Sequence, residues 1–100
     1  MPIARHGLTG SKSDIGTSPA RLISDRKVVV NAGVQLVASS DNSEFIWVGY
    51  NDDITAGTAD ATDGFPLAAG AGMFMPVRHP ADIWVRSTSG ESQKVHYLGQ

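Results

Sequence analysis

From Arg21 onward the chain alternates short runs of β-branched and aromatic residues with turn residues at regular spacing, whereas residues 1–20 follow neither a 2.0 nor a 3.6 period. Those runs predict strands over 22–31, 34–38, 44–51, 65–67, 73–77, 81–87 and 93–98. Asn31-Ala32-Gly33 and the Ser39 to Ser43 segment supply turns, an acidic loop spans 52–64, and Ser89-Gly90 predicts a closing hairpin between the last two strands. Pro76 cannot donate to a ladder, which marks 73–77 as an edge. No window carries a helical stripe. The pattern predicts an all-β protein: a single antiparallel β-sandwich or barrel, jelly-roll-like, with six or seven strands.

Alternation then sorts the faces. In 81–87, Ile83 and Val85 point one way, while Trp84 shares the other face with Asp82 and Arg86, an unusual place for a large indole. In 44–51, Phe45 and Trp47 oppose Ile46, Val48 and Tyr50. Both faces of that strand are apolar, so it is expected to be covered twice, by its own core and by an arm or a neighbouring subunit. Met73, Phe74 and Met75 are expected to fill the core at alternate positions, with an adaptable binding strip as the other option.

The aperiodic segment reads as an extended N-terminal arm, residues 1–20, in front of a β-domain, residues 21–100. Three glycines and two prolines keep it open. Ordering such an arm costs about 1–2 kcal/mol per residue, so neighbouring subunits are expected to hold it through Ile3, Leu8 and Ile15. Those three are too dispersed to form the apolar region of a signal peptide, and no stretch is long and apolar enough to predict a membrane span.

One hundred residues suffice for one core. Charged residues make up 18% of the chain, below the roughly one quarter usual for a soluble domain, which suggests that part of the surface faces another protein. A net charge of −2 with scattered basic residues argues against nucleic-acid binding. The chain has no cysteine, which excludes disulfides, thiolate metal sites and cysteine nucleophiles.

Candidate chemistry is thin. Asn51-Asp52-Asp53 and Asp60-Ala61-Thr62-Asp63-Gly64 bring together carboxylates that calcium could use, but the spacing is not that of an EF-hand, and Asp beside Gly is ordinary turn chemistry. His6, His79 and His96 lie on separate elements and read as independent surface residues, not zinc ligands. Neither G-x-S-x-G nor H-E-x-x-H occurs, and Gly70-Ala71-Gly72 lacks the Lys-Ser/Thr of a phosphate loop. No metal, cofactor or catalytic residue is predicted, and the protein reads as no enzyme.

The stretch Ile46-Trp47-Val48-Gly49-Tyr50, Asp53-Ile54-Thr55 and Gly64-Phe65-Pro66-Leu67-Ala68-Ala69-Gly70, followed by Ala81-Asp82-Ile83-Trp84-Val85-Arg86-Ser87, resembles the strand-and-turn pattern of small β-sandwich or barrel accessory proteins of tailed bacteriophage particles. Such proteins decorate the capsid, cement its shell or form the bases of head fibres. The resemblance covers roughly residues 22–98. It implies a virion protein made in the host cytoplasm and bound to the major capsid protein or neighbouring virion subunits. A homo-oligomer is expected, a trimer among the options. Trp84 and Tyr50 join Ile3, Leu8 and Ile15 as candidate partner-binding residues. The alternative is a tail or fibre module that binds a host-surface glycan through Trp84, Tyr50 and the 52–64 loop, since aromatic platforms beside carboxylates suit sugars. A small hydrolase is a weaker third reading, because no nucleophile is paired with a base.

Overall fold

In the computed structural model, residues 8–58 and 61–100 are described. They form eight strands: β1 (Leu8–Ile15), β2 (Ala20–Arg21), β3 (Val34–Ala38), β4 (Ile46–Gly49), β5 (Phe65–Leu67), β6 (Gly72–Met75), β7 (Trp84–Ser87) and β8 (Gln93–Gly99). A 3-10 turn covers Pro80–Asp82. No helix among the described residues is long and apolar enough to cross a membrane.

The strands make two four-stranded antiparallel sheets, ordered β1-β8-β3-β6 and β2-β7-β4-β5. Across them β1 pairs with β8, β2 with β7, β3 with β6 and β4 with β5. That is the pairing of one long antiparallel hairpin rolled up on itself. The layers meet over a core of Ile15, Val34, Leu36, Ala38, Met75 and Val95 from the first sheet against Ile46, Val48, Leu67 and Val85 from the second, with Leu22, Val30 and Ile83 supplied by connections. The all-β antiparallel reading of the sequence therefore holds, as a two-sheet sandwich among the sandwich and barrel alternatives, with eight strands instead of six or seven; the chain path differs from that reading in three places.

The first change is the N-terminal segment. From Leu8 it is no arm but an edge strand, paired along β8 from Leu8↔Gly99 to Ile15↔Gln93. The register slips between Lys12 and Ile15: three steps on β1 match two on β8 from Val95 to Gln93. Asp14 absorbs the extra residue in the left-handed region at φ 57°, a conformation that Asp tolerates better than most residues. In a regular strand Leu8 and Ile15, seven apart, would face opposite ways. The bulge brings both to the core, Ile15 buried at 2% exposure and Leu8 packed against the cluster. Gly10 is likewise no hinge, because the Tyr97 ring lies where its Cβ would be. Ile3 falls outside the described residues.

Secondly, residues 22–31 are irregular instead of a strand. The Asp25 carboxylate accepts the Lys27 amide at 2.9 Å, a local turn that ends the run before Val28. Val30 still reaches the core, and its amide donates to the Arg78 carbonyl at 2.8 Å. Thirdly, Ser89-Gly90 closes no hairpin. Strand β7 belongs to the second sheet and β8 to the first, so this turn crosses the sandwich. The Ser87 hydroxyl ties it by donating to the Ser89 and Gly90 carbonyls.

Buried Gln93 anchors a second crossing. Its Oε1 accepts the Ser43 and Glu44 amides at 2.9 and 3.1 Å, joining the 39–45 turn to β8. Asn42 extends the clamp with a reciprocal pair of 2.8 Å bonds to the Lys94 backbone.

Candidate functional site

The outer face of the second sheet carries both tryptophans, and the chain itself covers much of each. Cross-strand pairing sets Arg21, Trp84 and Gly49 in one row and Arg86, Trp47 and Pro66 in the next. Ile83 and Val85 are fully buried and Trp84 half-buried, so the alternation of that strand holds. The Arg21 guanidinium stacks 4.6 Å from the Trp84 ring centroid while its Nη1 donates to the Ala81 carbonyl at 2.6 Å. A cation–π contact held in place by a hydrogen bond occupies one face of the indole. Trp47 donates from Nε1 to the Thr88 hydroxyl at 2.7 Å, meets Phe45 edge-on at 6.1 Å and has Gly57 against its six-membered ring. The second cover expected for the 44–51 strand therefore includes the protein's own Thr88 and Gly57 at Trp47.

The 51–64 loop folds back onto β4. Ile54 is buried over Gly49, and a Cβ on that glycine would collide with the Ile54 side chain. An isolated bridge links Thr55 to Asp63. The Thr55 and Thr58 hydroxyls donate to Asp63 Oδ1 at 2.7 and 2.8 Å, and the Thr58 amide adds a third bond at 3.1 Å. Asp63 thus acts as an internal staple of the loop. Asp60 lies outside the described residues, and among the described residues no three His, Asp or Glu side chains gather as metal ligands would. His79 precedes the 3-10 turn and His96 points outward from β8, both exposed, while His6 is outside the described residues.

A groove of about 480 Å³ opens beside this loop, where the edge strands β5 and β6 flank the core. Val48, Ile54, Phe65, Met73 and Met75 form its apolar lining, with Tyr50 and Asp53 among its polar residues. Tyr50 and Phe65 are 60% and 59% exposed. Of the residues grouped for a glycan reading, Tyr50 and the loop come together here and Trp84 does not line the groove.

The outer face of the first sheet is different in kind. Outward positions on β6, β3 and β8 place Phe74, Gln35 and Leu98 in one cross-strand row and Gly72, Val37 and His96 in the next. Phe74, Leu98 and Val37 are 45%, 42% and 37% exposed, one apolar side chain on each of three adjacent strands. Between Val37, His96 and Leu98 lies a shallow apolar depression of about 250 Å³. Antiparallel sheets with one solvated face normally alternate apolar-in, polar-out. This face breaks that rule on three neighbouring strands.

Sequence reading missed this surface because each strand spends only one outward position on it. It becomes visible only once the register aligns the strands. The Met73–Met75 run resolves the same way: both methionines turn inward toward the groove and core, and Phe74 turns out.

No family model, curated protein or solved structure is detectably similar to this chain.

Proposed function

We propose that this protein is a non-enzymatic structural protein of a tailed-phage particle, a decoration or cement protein that joins neighbouring virion subunits through a β-surface. The observation that carries the reading is the open apolar face of the first sheet, Phe74, Val37 and Leu98 across three adjacent strands. Contiguous exposed apolar surface on a small domain marks an interaction site. The rolled-hairpin pairing is that of a jelly roll, an architecture used by capsid and lectin domains, and it supports the same reading by analogy. Attachment is assigned to the sheet and not to an arm, since Leu8 and Ile15 serve the chain's own core. The test is the protein content of particles made from the genome that encodes the chain. A fixed copy ratio to the major capsid protein is expected, and purified particles that lack the chain would refute the assignment.

A second reading, a fibre module that binds a host-surface glycan, is favoured by one observation: the groove beside Tyr50, Phe65 and Asp53 combines aromatic rings with a carboxylate. A glycan array separates the two readings. Binding that disappears in Tyr50→Ala would establish the second.

A further inference from the structure

Among the described residues, five of the six exposed large hydrophobic side chains fall into two groups: Val37, Phe74 and Leu98 on the first sheet, and Tyr50 and Phe65 at the groove. The groups are neighbouring sides of the molecule, since β6 turns Phe74 out of the sheet and Met73 and Met75 toward the groove. They also differ in shape and charge. The sheet face holds the shallow depression between Val37, His96 and Leu98, and its outward residues on β8 include Lys94 and His96. The groove end projects the two most exposed aromatics of the described residues, next to the exposed carboxylates Asp52 and Asp53.

We propose that these surfaces fit one another between copies: the groove end of one copy, led by Tyr50 and Phe65, docks on the first-sheet face of the next. The occupant of the apolar face is therefore a second copy of this chain. A symmetric contact of sheet face on sheet face leaves Tyr50 and Phe65 bare, whereas a head-to-tail contact covers both groups and brings Asp52 and Asp53 to the side that carries Lys94 and His96. Head-to-tail contacts close into a ring or run on as a fibre according to the angle they set. This contact does not depend on the phage reading, because it rests on surface chemistry alone.

Complementary variants test it. Leu98→Glu spoils the sheet face by placing a carboxylate opposite the acidic groove end, and Phe65→Glu spoils the groove end. Both positions are exposed, so each variant should melt close to the parent. Sedimentation of the full chain should show species larger than 10.5 kDa that grow with concentration, and each variant alone should remain a monomer. An equimolar mixture of the two should form a dimer and nothing larger, because it pairs the one intact sheet face with the one intact groove end. Should either variant melt early, Val37→Glu or Tyr50→Lys reports on the same surface. A parent that stays monomeric up to its solubility limit overturns the proposal. So does Phe65→Glu dimerising by itself, which would mean a symmetric sheet-face contact, and so does a mixture that stays monomeric.

Discussion

The two sheets of this sandwich treat their outward apolar side chains differently: the indoles of the second are covered, the apolar row of the first is not. On the second sheet, two large indoles point outward, and the chain spends Arg21, Phe45, Gly57 and Thr88 on covering them. On the first sheet, smaller apolar side chains point outward with far less around them, and Phe74, Val37 and Leu98 stay exposed. Covering an indole locally adds to the stability of the monomer. Leaving a valine, a leucine and a phenylalanine bare adds nothing to it, and gains apolar burial only when something else covers them. The difference separates residues that hold the fold from residues available for association, although an outward apolar residue looks the same in both sheets when only alternation is read.

The comparison breaks most severely if β1 is removed. A docking arm could be deleted without harm, but an edge strand that delivers Ile15 to the core cannot. Deleting residues 1–15 should abolish the cooperative melt seen by circular dichroism. A truncated chain that melts like the parent would return these residues to the status of an arm. Trp47→Ala gives a middle-sized effect. It removes a half-buried ring and its hydrogen bond to Thr88, at a cost of about 2 kcal/mol in chemical denaturation. An unchanged midpoint would mean that the second face is as open as the first. The smallest effect belongs to Leu98→Ser, which should shift stability by no more than about 0.5 kcal/mol because Leu98 is exposed on the first sheet. A cost of several kcal/mol would show that this face is already covered within one chain.

Much of the fold was legible from alternation. The strands at 34–38 and 65–67 match residue for residue, and alternation puts Val85 inward and Trp84 outward on β7 while leaving the inward face of β4 open. What escaped had local physical causes. The bulge at Lys12–Ile15 shifts the period by one residue and hides β1, because it places Leu8 and Ile15 on one face at an odd spacing. The glycine read as arm flexibility at position 10 is where Tyr97 crosses the strand. Ser89-Gly90 reads as a hairpin turn because turn residues encode a reversal, not which sheet the next strand joins. For the candidate site, Tyr50 was legible as an exposed aromatic beside an acidic loop. The sheet face of Val37, Phe74 and Leu98 was not, since it is assembled from strands far apart in sequence. The cation–π partner of Trp84, Arg21, was not legible because it lies 63 positions earlier in the chain.

Hydroxyl-radical footprinting across a concentration series tests most directly the claim that Phe74 and Leu98 of the first sheet are open while the indoles of the second are covered. In dilute solution Phe74 and Leu98 should oxidise readily, with Trp47 slow for its intrinsic reactivity. As concentration rises, Phe74, Leu98, Tyr50 and Phe65 should lose reactivity together while Phe45 and Trp47 stay constant. Protection that appears at Phe45 and Trp47, with Phe74 and Leu98 unchanged, would contradict the claim and move the interface to the second sheet.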